Sequence, residues 1–162
     1  MSQGVIARRY AKALISLAEK GKELEKTGKH FSELAEVYKD STELREILSD
    51  TKVSTEHKQS ILKGILSKIK APALVDTFSR YLLAKRRIVL LPSIESAFNL
   101  LLQEKLGRIE ARVTVAHELP TATVEKLEKS ISSYSGKDVA ISITIDPAII
   151  GGIVTRIGSV VI

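Results

Sequence analysis

Apolar residues recur every three or four positions from the start of the chain to Leu106, which is the spacing of one face of an α-helix. The pattern predicts six amphipathic helices. Their apolar stripes run from Ile6 to Leu17, Leu24 to Tyr38, Leu44 to Leu48, Ile61 to Ile69, Leu74 to Leu82 and Ile94 to Leu102. Because each stripe covers only part of a helix surface, the helices must cover one another, and the pattern predicts a compact six-helix bundle.

Residues that favour helix ends lie between these stripes. Gly21 is placed to end the first helix. Capping hydroxyls or helix-opening prolines precede four of the later stripes, and they are Ser41, Ser54 or Thr55, Pro72 and Pro92. These signals support the predicted helix boundaries.

The period changes to two after Gly107, as expected for half-buried strands. Apolar and polar residues alternate over Ile109–Val115 and again over Val139–Ile145. The last run, Ile149–Ile162, is rich in β-branched residues and predicts a third strand. Gly151–Gly152 falls inside this strand pattern, where glycine marks a bulge or a close backbone approach.

A seventh helix is predicted between the first two strands. Thr121–Tyr134 has helical spacing, with Thr121 or Thr123 placed to cap it and Gly136 placed to end it. The order of elements in this part of the chain is therefore strand, helix, strand, strand.

Period and charge divide the chain at the same place. Residues 1–106 hold 19 Lys/Arg and 13 Asp/Glu, whereas residues 107–162 hold six of each, so the net charge of +6 belongs to the first part. We predict a mainly α N-terminal domain, a six-helix bundle over 1–106, followed by a small α/β domain (β-α-β-β) over 107–162.

The overall composition is that of a soluble globular protein, with 44% hydrophobic and 27% charged residues. The chain has no cysteine, which excludes disulfides and thiolate-bound metals and fits a reducing compartment. Its first residues lack the features of a secretory signal. Its longest apolar stretches fall far short of the roughly 20 residues that a membrane-spanning helix needs.

Catalytic and cofactor motifs are absent from the sequence. Gly21 and Gly28 are separated by six residues and Lys29 is not followed by Ser or Thr, so a phosphate-binding loop is excluded. No serine lies in a Gly-x-Ser-x-Gly turn. The three histidines, none of them at metal-ligand spacing, are His30, His57 and His117. We expect no catalytic, cofactor-binding or metal-binding residues.

Lys85–Arg87 is the sharpest basic cluster and has two interpretations. Cations at the end of the fifth helix would offset the negative end of the helix dipole. Alternatively, the cluster contacts phosphate or the acidic residues of a partner. Nucleic-acid binding is an open alternative for a basic helical protein, although aromatic residues for base stacking make up only 4% of the chain.

The first helix is unusually rich in small residues. Ala11, Ala13 and Ala18 add low-profile surface beside its main apolar stripe. This pattern fits a helix buried among several neighbours, and it also fits one wall of a shallow groove for another chain's amphipathic helix. Both interpretations are compatible, because small residues let two backbones approach.

Three segments in order resemble the delta subunits of F-type ATP synthases, the family of the mitochondrial oligomycin-sensitivity-conferring protein. They are Ala7–Leu14 (ARRYAKAL), Leu82–Ile88 (LLAKRRI) followed by Leu91-Pro92, and Asp146–Gly158 (DPAIIGGIVTRIG). The last is the most specific, and together they cover the chain from end to end. Thr155 stands where an aliphatic residue is more typical of the family.

The resemblance implies a role without chemistry. A subunit of this kind joins the catalytic head to the peripheral stalk as one copy in a hetero-oligomer, and it keeps the head from turning with the rotor. Its bundle binds N-terminal helices of the alpha subunits, and its C-terminal domain binds the b-type stalk. Family members usually continue past Ile162 with an Asp-Gly-Ser segment and a final helix, which bears on the stalk contact.

In this family the groove for the alpha-subunit helix lies between the first and fifth helices. The resemblance therefore implies partner-binding residues on both, namely Tyr10, Ala13, Leu14 and Leu17 from the first and Phe78, Tyr81, Leu82 and Lys85 from the fifth. It also implies a location on the cytoplasmic face of the bacterial inner membrane, peripheral and held there through the complex. An organelle equivalent is the alternative for the location. A small enzyme with an unrecognised site is a further alternative for the function.

Overall fold

The computed structural model describes residues 2–136, 138–157 and 160–161, and the chain divides into two compact units, Met1–Leu102 and Gln103–Ile162. The period of the sequence pattern changes a few residues after this boundary, at Gly107. The helices that begin in the first unit are α1 Gln3–Lys20, α2 Leu24–Asp40, α3 Thr42–Ser49, α4 Thr55–Lys68, α5 Ala73–Ala84, a short 3-10 helix Ile88–Leu90, and α6 Leu91–Lys105. The second unit contains β1 Arg108–Val115, α7 Thr121–Ser135, β2 Asp138–Ile145, β3 Ile153–Ile157 and β4 Val160–Val161.

Serine hydroxyls cap three of the helices. Ser2, Ser41 and Ser54 accept hydrogen bonds from the backbone N–H groups three residues later, at 3.4, 3.1 and 3.2 Å. These bonds satisfy donors that have no partner within the helix. The caps predicted at Ser41 and Ser54 are confirmed.

Prolines open helices, but two details differ from the sequence predictions. Pro72 is the N-cap of α5 as expected, whereas α6 begins at Leu91, directly after a 3-10 turn that the periodicity did not reveal. The predicted threonine caps of α7 are wrong, because Pro120 occupies the N-cap position without a side-chain bond. Gly136 ends α7 in the left-handed conformation with φ of 69°, as predicted.

Three helices end in the same turn, in which a basic residue adopts positive φ. Lys22, Lys70 and Arg86 have φ of 55°, 53° and 56°. In each case the next residue's N–H bonds back across the turn to a carbonyl in the last helical turn, at 2.9, 2.9 and 2.8 Å. This is the Schellman motif, and the residue at its left-handed position is usually glycine.

The core of the first unit contains three aromatic rings in edge-to-face contact. Phe31 of α2 contacts Phe78 of α5 and Phe98 of α6 edge-on, with ring centroids 5.7 and 6.0 Å apart. Gly28 lets α6 approach α2 closely, because a Cβ there would meet Leu102 at 2.7 Å. In addition, α1 packs against α2 and α5, and α4 packs against α5. The helices therefore cover one another's apolar faces.

The second unit is a four-stranded sheet in the order β2-β1-β3-β4. β1 and β2 are parallel and joined through α7, while β3 pairs antiparallel with both β1 and β4. One face of the sheet packs against α7, and the core there is formed by Ala111, Val113, Val115, Ile131 and Val139.

The prediction of a single third strand over Ile149–Ile162 is wrong in detail. Gly151 and Gly152, with φ of 113° and 82°, form the bend before β3 and do not lie inside a strand. The run contains two strands, with Ile157 paired to Val160. The two residues between these partners lie outside the described residues.

The predicted fold class holds in its main terms. A helical first part is followed by a small α/β part, and the sheet has one more strand than the predicted β-α-β-β order.

Candidate partner-binding groove

An apolar groove of about 660 Å³ lies between α1 and α5. Its lining residues come from both helices and include Arg87, which lies beyond the end of α5. The lining residues are Ile6, Arg9, Tyr10, Ala13, Leu17, Leu74, Thr77, Phe78, Tyr81 and Arg87. The lining contains two cations and no carboxylate.

Aromatic rings form the centre of the groove. Tyr10 contacts Phe78 with ring centroids 6.3 Å apart and Tyr81 at 6.4 Å. Phe78 is only 8% exposed and packs on Phe31 beneath it, so the floor of the groove is continuous with the core. Leu17 and Tyr81 are 51% and 48% exposed and leave large apolar surfaces open to solvent.

Two cations lie against the tyrosine rings. The Arg87 guanidinium lies 5.4 Å from the centroid of the Tyr10 ring and donates a hydrogen bond to the Tyr10 hydroxyl. The Lys85 ammonium lies 5.6 Å from the centroid of the Tyr81 ring. Contacts of this kind contribute about 0.5–1 kcal/mol at exposed sites, so they help fix the orientation of both rings.

The turn that ends α5 places Arg87 at the groove. Lys85 is the C-cap, Arg86 takes the left-handed conformation, and the Arg87 N–H donates to the Leu82 carbonyl at 2.8 Å. This Schellman motif reverses the chain, so that Arg87 reaches back to α1. The basic cluster therefore both closes the helix and contributes to the groove.

The structure brings together five of the eight residues predicted to bind a partner. Tyr10, Ala13, Leu17, Phe78 and Tyr81 line the groove. Leu14 and Leu82 are fully buried, so they contribute no surface to it and are removed from the set. Lys85 is exposed just outside the lining, against the ring of Tyr81.

Five lining residues were missed by the sequence reasoning, and a signal for most of them exists. On α1, two apolar stripes run side by side, offset by one residue. The buried stripe contains Ala7, Ala11, Leu14 and Ala18, and the groove stripe contains Ile6, Tyr10, Ala13 and Leu17. An apolar arc this wide exceeds what one interface needs, and it indicates two neighbours.

Two of the other missed residues, Leu74 and Thr77, lie on α5, and Arg87 lies in the basic cluster after it. Leu74, Thr77 and Tyr81 share one face of α5, next to the buried face that carries Val75 and Leu82. For Arg87, the sequence offered the basic cluster but no indication of which cation reaches α1.

The polar side chains that line the groove are those of Arg, Tyr and Thr, and its lining includes no His, Asp or Glu. Among the described residues, no group of three or more His, Asp or Glu side chains could hold a metal ion. His30 lies 3.3 Å from Glu33 on the same helix, and His57 and His117 are exposed. The arrangement is suited to binding an apolar surface.

No helix in the part of the chain that the structure describes combines enough length with enough apolar character to cross a membrane.

Comparisons with known proteins point to one family. The family described as ATP synthase delta (OSCP) subunit matches residues 6–162. ATP synthase subunit delta of Brucella ovis is 33% identical over 154 residues, which cover 95% of this chain and 83% of that protein. The Geobacter metallireducens protein of the same name is 32% identical over 158 residues, covering 98% and 88%.

A similar fold occurs in a solved assembly. A chain in the cryo-EM structure of the Toxoplasma gondii mitochondrial ATP synthase hexamer has a TM-score of 0.71 and 19% identity to this chain, covering 92% of this chain and 83% of that one. At this identity the likeness concerns the fold alone.

Proposed function

This chain belongs to the ATP synthase delta (OSCP) subunit family, and on that premise we propose that its first unit binds the catalytic head while its second unit binds the peripheral stalk. A member of this family is a non-catalytic subunit of the ATP synthase, so its work is to hold other subunits together. The observation that carries the proposal is the apolar groove between α1 and α5, with its exposed Leu17 and Tyr81.

The occupant we propose for the groove is the N-terminal helix of an alpha subunit of the head. An amphipathic helix binds in such a groove through apolar anchors spaced three or four residues apart. The open side chains of Leu17 and Tyr81 supply surface for those anchors, and Ala13 lets the incoming backbone approach. Arg9 and Arg87 favour a helix that carries carboxylates beside its apolar stripe.

A link that resists torque needs slow dissociation, and the construction of the groove supports this. Its floor is preorganised, because Phe78 is held by Phe31, which in turn packs on Phe98. Walls that are already ordered lose little conformational entropy on binding. Differences in affinity between related complexes lie mostly in the dissociation rate, so a rigid apolar site lengthens the life of the contact.

The two units divide the work in this proposal. The six helices, over about the range 1–106 that the sequence indicates, act as one bundle that binds the head. The sheet with α7 binds the b-type stalk. The chain is present as one copy in the complex. It is held at the cytoplasmic face of the bacterial inner membrane through its partners.

Co-purification from native membranes tests the proposal. The tagged wild-type chain should bring down both the head and the stalk subunits. The variant Leu17→Glu places a charge in the groove and should lose the head while keeping the stalk. Recovery of the head by this variant at the wild-type level, or purification of the wild-type chain without the head, would contradict the proposal.

A further inference from the structure

The sheet of the second unit has one covered face and one open face. On the face toward α7, Ala111, Val113 and Val139 are buried, while Ile143 and Ile145 in the second half of β2 are 37% and 48% exposed. The opposite face is largely exposed, and its described side chains include Arg112, Thr114, Ala140, Ser142, Thr144, Val154 and Arg156. Strands that pair in parallel usually belong to sheets covered on both faces, so the bare side of the β1–β2 pair is notable.

Two arginines lie directly opposite each other on this open face. Arg112 of β1 and Arg156 of β3 are register partners in the antiparallel pair. Both are exposed. Within the described part of the chain, neither guanidinium takes part in an ion pair or a hydrogen bond. Like charges directly opposite across two strands destabilise a sheet, so the pair acts against the stability of the free protein.

We propose that this open face binds an acidic segment of a partner protein, with Arg112 and Arg156 recognising its carboxylates. A carboxylate placed between the two guanidinium groups would accept hydrogen bonds from both and remove their repulsion. The neighbouring side chains are short, with Ser142 beside Arg112 in the register and Thr114 paired with Val154. A flat surface of this kind lets a helix backbone lie close to the sheet.

The surroundings favour protein carboxylates over other anions. Single-stranded nucleic acid is bound by cations interleaved with stacking aromatic rings, and Tyr134 on α7 is the one aromatic residue in the sequence from 103 to 162. An anionic membrane surface attracts clusters of about four to eight cations. The residues from 107 to 162 hold six Lys/Arg and six Asp/Glu, so they present no such excess.

The identity of the partner rests on the proposed function, in which the second unit binds the stalk. The open face itself is inferred from the sheet alone. The acidic segment is therefore expected on the stalk subunit, and the experiment measures stalk binding and head binding separately so that failure of one is distinguishable from failure of the other.

The test uses the full chain with the soluble part of the stalk subunit and, separately, with the isolated head. R112E and R156E should each weaken stalk binding at least tenfold and leave head binding within twofold of wild type. The matched control is K126E, which makes the same charge change at an exposed position on α7, on the covered side of the sheet. It should leave both affinities within twofold.

Thermal unfolding separates this role from a structural one. R112E replaces a repulsive cross-strand pair with an attractive one, so its Tm should rise by about 1–3 °C while stalk binding falls. A residue that merely supported the fold would lose stability and binding together.

Several results would overturn the inference. Equal weakening by R112E and K126E would show a general charge effect. Wild-type stalk binding that both arginine variants retain would place the contact elsewhere while leaving the proposed function intact. Absence of wild-type stalk binding would overturn both. Arginine-dependent binding to phosphatidylserine vesicles or single-stranded RNA, without stalk binding, would assign the face to another class of ligand.

Discussion

The guanidinium of Arg87 and the hydroxyl of Tyr10 are joined by a hydrogen bond, although 77 positions separate them in the sequence. The bond connects the turn after α5 to the middle of α1, and both residues line the groove. The same guanidinium lies 5.4 Å from the centroid of the Tyr10 ring. A single side chain thus holds in place the ring that contacts both Phe78 and Tyr81.

Loss of this contact should weaken partner binding more than it weakens the fold. Arg87→Gln frees the Tyr10 ring and removes a cation from the groove, so the affinity for a peptide copying the alpha-subunit helix should fall roughly tenfold, equivalent to about 1.4 kcal/mol. Lys63→Gln makes the same charge change at an exposed position on α4, outside the lining, and is the control. Isothermal titration calorimetry measures both, and equal losses would contradict the role given to Arg87.

Exposed leucines of α1 and α6 provide a second comparison. Leu17 is 51% exposed in the groove and Leu100 is 69% exposed elsewhere on the first unit. Leu17→Ser should cost about 2 kcal/mol of peptide binding, while Leu100→Ser should cost none. Both substitutions are at the surface and should change the free energy of unfolding by less than about 0.5 kcal/mol. If the two variants bind the peptide equally well, Leu17 is not an anchor.

Two helical glycines should respond to alanine in opposite directions. A Cβ at Gly28 would lie 2.7 Å from Leu102 Cδ2 and 3.3 Å from Phe98 Cε1, whereas at Gly64 it would meet nothing within 4 Å. Gly28→Ala should therefore destabilise the protein by about 1–3 kcal/mol through overpacking. Gly64→Ala should stabilise it by about 0.5–1 kcal/mol, because alanine is the better helix former. Urea unfolding gives both values, and a neutral Gly28→Ala would contradict the close approach of α2 and α6.

Burial of Tyr38 predicts a loss of stability at alkaline pH. Desolvation raises the pKa of its phenol above the usual 10.0, opposed by a hydrogen bond with Ser49 and the charge of Arg45. Above about pH 10 the unfolded chain therefore loses this proton before the folded protein does, so stability is retained below that pH and falls as the pH rises through the folded pKa.

The substitution Tyr38→Phe should reduce this alkaline loss. The quantity to compare is the difference in urea midpoint between pH 8 and pH 10.5, which should shrink in the variant relative to wild type. Tyr134→Phe, at a position 79% exposed, is the control and should leave the difference unchanged. An unchanged difference in Tyr38→Phe would refute the assignment.

The sequence predicted the helices and their N-caps better than it predicted which side of a helix faces the groove and which faces the core. Helical spacing, Ser41 and Ser54 located helices because these signals act over a few neighbouring residues. Ala13 and Leu14 differ by one position, about 100° around a helix, yet one lines the groove and the other is fully buried. Such a choice depends on which helices pack nearby, and periodicity carries no information about that.

Long-range contacts were likewise beyond the sequence pattern. The resemblance to a family indicated the pair of helices that form the groove, but the place of Arg87 depends on the left-handed turn at Arg86. A glycine at position 86 would have indicated a left-handed turn, but the residue is arginine, so the sequence did not predict that the chain reverses there. The division of the last run into β3 and β4 was not predicted, because β-branched residues recur along the whole run.

The proposed function depends on the groove between α1 and α5 receiving a helix from the catalytic head. Titration of the isotope-labelled full chain with a peptide copying the alpha-subunit N-terminal helix, followed by amide and methyl NMR shifts, tests it most directly. We expect saturation at one peptide per chain, with the largest changes at Tyr10, Ala13, Leu17 and Tyr81 and small changes at Leu100 and on α7. Saturable shifts that leave these four residues unmoved, or no binding at all, would contradict it.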